Sequence, residues 1–249
     1  MTMAARSVEF ANVSFDTPGG QRILRDVSLT VDAGETVALL GRSGSGKTTL
    51  LRMVNALVKP TSGRVLVGGR EVSGDDVVAL RRGIGYVIQE TGLFPHMTVE
   101  RNVSLPLELA QKADASAVER ALQDVGLPPA EFAKKYPWQM SGGQRQRAGV
   151  ARALVAGQDV LLMDEPFGAL DPLTRAEMQT MLHAVLRKDA KTTLIVTHDL
   201  DEALFLADRV ALVEQGRVVA DERAEDVLAS QNEAMQAYVR AARRAELSA

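Results

Sequence analysis

Thr36-Val37-Ala38-Leu39-Leu40-Gly41-Arg42-Ser43-Gly44-Ser45-Gly46-Lys47-Thr48-Thr49-Leu50-Leu51 is the stretch on which the fold turns. Four of its first five residues are apolar and the other is the β-branched Thr36, as suits a strand buried on both faces, and its last residues begin an apolar helix. Between them the chain follows the pattern G-x-x-x-x-G-K-[ST]. The glycines let backbone N–H groups curl around a phosphate at the positive end of the helix. Lys47 adds a point charge, and the Thr48 hydroxyl suits Mg²⁺. Gly41, Arg42, Ser43, Gly44, Ser45, Gly46, Lys47, Thr48 and Thr49 are therefore the candidate phosphate-binding residues. The motif marks a nucleotide-binding protein without choosing among kinases, GTPases and helicases.

Working outward, short β-branched runs flank this stretch: Val8 to Phe15, Val27 to Val31, Arg64 to Val67, Ile84 to Ile88, Val160 to Met163, Thr192 to Val196 and Arg209 to Val213. The later runs read as buried parallel strands separated by helices. The early ones lie close together around Pro18-Gly19-Gly20 and Gly68-Gly69, which predicts an antiparallel layer at the start. From Gln89 to about Ala156 the β signal gives way to helical pattern, with Thr98 to Leu109, Ala115 to Val125 and Ser141 to Ala156 as candidates. The expected architecture is α/β, with a helical subdomain at about 90–156 inserted into a domain of residues 1–230. A short helical tail, residues 231–249, follows.

Hydrophobic residues at 46% of 249 supply enough apolar surface for a core and exclude a disordered chain. Lys plus Arg total 29 against 32 Asp plus Glu, a formal charge of -3 that gives no reason to expect a nucleic-acid partner. The absence of cysteine excludes disulfides and thiolate chemistry. Met1 to Phe10 has no apolar h-region, and no apolar run approaches the ~18 residues of a membrane helix, so a membrane role is expected to come through a partner.

Further motifs narrow the chemistry. Val160 to Met163 leads into Asp164-Glu165-Pro166, which puts Asp164 at the carboxyl edge of a strand, fit to hold Mg²⁺, and Glu165 where it can activate a water. Two acids there also suit a solvated strand end. Met140-Ser141-Gly142-Gly143-Gln144 opens a helix with Ser141 as its N-cap, and the glycines leave N–H groups uncovered for an anion. Capping alone also accounts for it. Gln89 fits a polar strand terminus, Asp171 an N-cap before Pro172, and His198 a turn histidine.

Taken jointly and in this order, these residues resemble the ABC ATPase family, from about Val8 to about Leu228. Met140 to Gln144 stands where the family has LSGGQ, with Met for Leu, a volume-conserving change. The resemblance implies a P-loop NTPase (RecA-like) core that binds ATP and Mg²⁺. It makes Gln89 a Q-loop glutamine near Mg²⁺ and the attacking water, Gly168-Ala169-Leu170-Asp171 a D-loop and His198 a switch histidine. Glu165, His198 and Gln89 are then the catalytic residues, and Thr48, Gln89 and Asp164 the Mg²⁺ ligands. Ser141, Gly142, Gly143, Gln144 and Asp171 contact ATP across a head-to-tail dimer. The family's adenine-stacking aromatic falls at Thr17 here, which leaves Phe15, two residues earlier on the same strand face, as the substitute.

The implied partners are a second ATPase subunit, most simply a second copy, transmembrane permease subunits and, indirectly, a substrate-binding protein. The implied place is the cytoplasmic face of the plasma membrane. Glu90-Thr91-Gly92-Leu93-Phe94-Pro95-His96-Met97 resembles the groove that receives a permease coupling helix, with inward packing as the alternative. The text from Arg81 to Thr98 and from Leu162 to Pro172 is similar to bacterial importers of glycine betaine, choline or carnitine. It grades into importers of amino-acid-like, sulfonate or nitrate solutes. A soluble ABC protein of DNA repair or ribosomes would carry tandem domains or a long coiled coil. Residues 231–249 leave no room for the CBS domains of osmoprotectant ATPases, and their Arg240, Arg243 and Arg244 read as a solvated helix face.

Overall fold

The computed structural model describes residues 5–73, 76–89, 91–168, 170–188 and 190–246. Glu90, Ala169 and the tail residues Leu247 to Ala249, all within stretches singled out above, lie outside the described residues, as do Met1 to Ala4. Two compact units result, one of residues 78–191 and one of residues 5–77 and 192–246.

The second unit opens with β1 (Val8–Asp16) and β2 (Arg22–Val31), an antiparallel pair turned at Thr17 to Gln21. β2 begins five residues before the run expected from sequence. Asp26 sits at φ 54° in a bulge, so the buried Leu24 and Val27 stand three apart rather than two, and the alternation breaks. β3 (Thr36–Leu40) is buried at all five positions and feeds α1 (Lys47–Val54) through the glycine loop. β4 (Ser62–Val67) pairs with β1, and β5 (Arg70–Glu71) with β4, giving the antiparallel order β2-β1-β4-β5.

The unit of residues 78–191 begins with α2 (Val77–Arg82) and the parallel pair β6 (Ile84–Val87) and β7 (Val160–Asp164). Among the described residues between those strands lie only helices: α3 (Val99–Leu109), α4 (Ala115–Asp124), α5 (Pro129–Phe132), a 3₁₀ turn at Pro137–Gln139 and α6 (Gly142–Leu154). Capping explains where they start. Thr98 accepts from the Arg101 N–H at 3.3 Å and Asp114 from the Ala117 N–H at 3.1 Å. α6 lies directly on β6: a Cβ added at Gly85 would stand 2.2 Å from the Ala153 carbonyl oxygen. α7 (Pro172–Lys188) follows β7 and buries Met178, Leu182 and Leu186 at helical spacing.

The chain re-enters the second unit with β8 (Thr192–Thr197), parallel to β3, then α8 (Leu200–Leu206) and β9 (Arg209–Glu214), parallel to β3 on its other side. A tight turn at Gln215 (φ 48°) and Gly216 (φ 78°) returns the chain as β10 (Arg217–Arg223), antiparallel to β9. The sequence reading lacked β10.

α9 (Glu233–Glu246) leaves Arg240, Arg243 and Arg244 exposed as expected of a solvated helix face, but docks its other face, which the sequence did not announce. Met235 is fully buried and Val239 nearly so, one helical turn apart, in a cluster with Leu40, Leu200, Ala203, Leu212 and Val227. Only the opposite face is solvated, so an Ala- and Arg-rich composition concealed a docked helix. Met235→Ala is expected to lower stability by about 2 to 4 kcal/mol in urea denaturation. A solvated segment would give less than about 0.5 kcal/mol.

Candidate nucleotide site

The two units each carry part of the predicted set. In the second, the loop from Gly41 to Gly46 leaves the carboxyl end of β3 and curls over the start of α1. Three of its glycines have positive φ: Gly41 at 150°, Gly44 at 79° and Gly46 at 107°. A Cβ at Gly41 would meet the Val213 carbonyl oxygen at 2.3 Å and one at Gly46 the Leu24 side chain at 2.6 Å, whereas Gly44 faces open space. The first two glycines are demanded by the fold. Gly44 is demanded by its backbone angle and leaves room for a ligand.

Lys47 is buried, and its ammonium donates to the Gly41 and Arg42 carbonyls at 2.7 and 2.9 Å, so its charge is held inside the curve of the loop. Ser45 Oγ is also buried and has no hydrogen-bond partner among the described residues, an acceptor-donor waiting inside the cradle. Thr48 and Thr49 are half-buried in the first turn of α1. His198 follows β8 and is exposed; its own carbonyl accepts a hydrogen bond from the Tyr238 hydroxyl at 2.6 Å. Phe15 is half-buried on β1, and Thr17 spends its hydroxyl on the turn, accepting the Gln21 N–H at 3.2 Å.

In the unit of residues 78–191, β7 ends in buried Asp164, whose carboxylate accepts from the Tyr86 hydroxyl at 3.5 Å. Glu165 adopts φ 45°, a left-handed conformation that a residue with a long side chain rarely takes and that clusters at functional sites. Gln89 Nε2 reaches its carboxylate at 3.4 Å. The structure thus brings Gln89 and Glu165 together.

α6 carries the Ser141 to Gln144 stretch at its head. Ser141 Oγ accepts the Gln144 N–H at 3.2 Å, while the Gln144 side chain accepts the Ser141 N–H at 3.0 Å. This capping box answers two of the four N–H groups that a helix start leaves without intrahelical partners. The other two belong to Gly142 and Gly143. Capping and anion binding are therefore compatible here rather than rival explanations. Asp171 likewise serves as a cap: its carboxylate accepts the Thr174 N–H at 3.1 Å, and the Thr174 hydroxyl and N–H hold its pKa below the usual carboxylate range.

Arg152 is a residue that the sequence reading missed. From α6 it donates to the Gly92 and Thr91 carbonyls at 2.6 and 2.9 Å, tying the segment after Gln89 to the helix that bears Ser141, and burial lowers its pKa. No local sequence signal marks it, because its partners lie sixty residues upstream. Asn102 organises the next turn, bonding both the N–H and the carbonyl of Phe94. Phe94 points outward, 45% exposed, while Leu93 and Met97 are half-buried.

The ABC transporter family profile matches residues 24–168 of the chain. The chain belongs to the ABC transporter family. The carnitine transport ATP-binding protein of Listeria monocytogenes (serotype 1/2a, strain 10403S) is 43% identical over 223 residues, 89% of this chain and 56% of that protein. The osmoprotectant import ATP-binding protein of Salmonella typhimurium (strain LT2) is 48% identical over 207 residues, 82% and 54% respectively. The chain thus spans about half the length of these relatives. Among solved structures, the dimeric post-hydrolysis state of the ATP-binding cassette MJ0796 bound to ADP and Pi matches with TM-score 0.79 and 33% identity, over 87% of this chain and 98% of that one. The fold is accordingly the P-loop NTPase fold of an ABC cassette.

The ABC signature glycines differ in what surrounds them. A Cβ at Gly142 meets nothing within 4 Å, whereas one at Gly143 would lie 2.4 Å from Thr174 Cγ2 on α7. Gly142→Ala is expected to leave the unfolding midpoint unchanged or raise it, as Gly-to-Ala changes on helices do. Gly143→Ala is expected to cost about 1 to 3 kcal/mol by overpacking, with partial recovery in the double variant carrying Thr174→Ser. Chemical denaturation of the three variants checks both.

Proposed function

We propose that this chain is the ATP-hydrolysing subunit of an ABC importer for a small solute of the osmoprotectant class, such as glycine betaine, choline or carnitine. The ATPase domain takes in residues 1–230, with a helical subdomain at about 90–156 inserted, and residues 231–249 follow as a helical segment. The observation that carries this reading is the Gly41–Thr48 loop, whose buried ammonium and unanswered Ser45 hydroxyl suit a polyphosphate. Relatives named for osmoprotectant and carnitine transport support the solute class.

Each residue has a task that its setting supports. Gly41 to Thr49 bind the phosphates, and Lys47 carries the positive charge. Thr48 and Asp164, with Gln89, would hold Mg²⁺, which when bound neutralises charge on the transferring phosphoryl group. The described residues hold no group of three or more acidic or histidine side chains suited to a metal. The hydroxyl, carboxylate and amide oxygens of Thr48, Asp164 and Gln89 are hard donors of the kind Mg²⁺ takes beside water and phosphate oxygens. Glu165 takes the proton of the attacking water while the Gln89 amide orients its carboxylate. His198 supports the γ-phosphate. Gly142 and Gly143, flanked by Ser141 and Gln144, offer their N–H groups to the ATP of a second copy, with Asp171 beside that contact. Phe15 stacks on adenine with only part of its ring.

The permease docks on the unit of residues 78–191. A cleft of about 380 Å³ lined by Val78, Tyr86, Pro106, Leu109 and Arg152 has Val78 60% and Leu109 66% exposed, an apolar surface fit for a short helix. No helix among the described residues is long and apolar enough to cross a membrane. Through that permease the chain works at the cytoplasmic face of the plasma membrane, and a binding protein delivers the solute.

Glu165→Gln is expected to cut ATP turnover by about 10² to 10⁴-fold while ATP still binds. Lys47→Ala is expected to lose ATP affinity instead. Near-normal hydrolysis by the first, measured as phosphate release, or unchanged ATP binding by the second would overturn these roles. Because Thr17 replaces the stacking aromatic, GTP is expected to compete with ATP within about tenfold, a gap of about 1.4 kcal/mol, in a displacement titration. Affinity purification from detergent-solubilised membranes is expected to recover an integral membrane permease. Recovery of ribosomes or nucleic acid in its place would refute the importer.

A further inference from the structure

α9 is more than a docked helix, because its partly buried Tyr238 reaches the loop after β8. The Tyr238 hydroxyl donates to the His198 carbonyl at 2.6 Å. Burial first, and the Asp199 carboxylate second, push its pKa up to about 12, with Arg42 pulling the other way. The phenol therefore stays protonated near neutral pH and stays a donor. Both ends of the second unit's phosphate chemistry, Arg42 in the glycine loop and Asp199 beside His198, act on this one side chain.

The helix that carries Tyr238 is fixed on both sides of it. Asn232 Oδ1 accepts the Ala234 and Met235 N–H groups at 2.9 and 3.2 Å, and Asn232 Nδ2 donates to the Val219 carbonyl of β10 at 3.0 Å. Met235 and Val239 pack in the cluster that holds Leu40, the last residue before the glycine loop, and Leu200, the first residue of α8. Tyr238 is thus anchored against the same core that sets the loop and the switch.

We propose that Tyr238 is a positioning residue for ATP hydrolysis: its hydroxyl fixes the His198 peptide, and through it the direction in which the imidazole is presented. The inference rests on the ATPase reading above. It makes α9 part of the nucleotide machinery although no residue of α9 belongs to a nucleotide motif.

The chain has only 3 histidines, so the His198 imidazole cross-peak is assigned by comparison with His198→Gln in ¹³C-histidine-labelled full-length protein. In Tyr238→Phe that cross-peak is expected to move while those of His96 and His183 stay. ATPase kcat is expected to fall about five- to tenfold, about 1 to 1.4 kcal/mol in the barrier, with KM for ATP within about twofold. The melting temperature is expected to fall by no more than about 4 °C, the shift that ~1 kcal/mol of global destabilisation gives a chain of this length. An unmoved His198 cross-peak, an unchanged kcat, or a loss of kcat matched by a rise in KM or a collapse of melting temperature would overturn the proposal. Absence of hydrolysis by the unmodified chain would sink the ATPase reading instead, and the His198 cross-peak would still decide whether Tyr238 sets that loop.

Discussion

The Val213 carbonyl oxygen stands where a side chain at position 41 would begin, 2.3 Å from the place of its Cβ, and the nucleotide half of the molecule depends on that contact. β9 runs beside β3, so the chain can leave β3 at position 41 only as glycine. The same logic repeats around the loop. A Cβ at Gly216 would lie 2.1 Å from the Ile23 carbonyl oxygen, which presses the β9–β10 turn onto β2. That turn then donates its Gly216 N–H to the Ser45 carbonyl at 3.1 Å and accepts the Arg25 N–H at 2.8 Å. Backbone proximity therefore sets the loop together with the side chains packed beneath it, Leu24 against Gly46 among them. A loop held this way keeps its N–H groups pointed inward without reorganising when charge arrives.

α6 plays the corresponding part in the unit of residues 78–191. Most of its buried residues are small, Gly143, Ala148, Gly149, Ala151 and Ala153 beside Gln146 and Val150, so its backbone approaches β6 and the Thr91 segment closely. A Cβ at Gly149 would lie 3.3 Å from the Thr91 carbonyl oxygen, the atom that Arg152 also binds. One rigid helix thus carries the signature stretch at its head and grips the segment after Gln89 further along.

How far the sequence could be read follows from the range of the forces involved. β3, β7 and β8 were legible because a strand buried on both faces shows as a largely apolar run, and Ser141 was legible as a cap because capping is settled within four residues. β10 was not, since Arg217 to Arg223 mixes apolar and charged residues on a half-solvated strand and only the Gln215-Gly216 pair announces it. The start of β2 was hidden by a bulge that shifts the apolar period. α9 was seen as a helix, but its docking was hidden because Met235 and Val239 are two residues in an alanine- and arginine-rich text. Within the site, Lys47, Asp164 and Glu165 carry their signal locally. Arg152 and Tyr238 act on carbonyls 60 and 40 residues away, and a carbonyl has no sequence identity to read.

The chemical groups share one further property, which bears on how the site must work. Gln89, His198, Ser141, Gly142 and Asp171 are exposed, while the groups that hold them are buried or half-buried. Interactions with a developing phosphoryl charge are weak in bulk water and grow several-fold once water is excluded. A single chain with these groups open to solvent is thus preorganised but unscreened. Something must cover them for the stored geometry to act, and in the function proposed above that cover is a second copy of the chain. The head of α6 in that copy presents the two N–H groups that its capping box leaves over, donors suited to an anion. On this account the burial that the chemistry needs is not supplied by the fold of one chain alone.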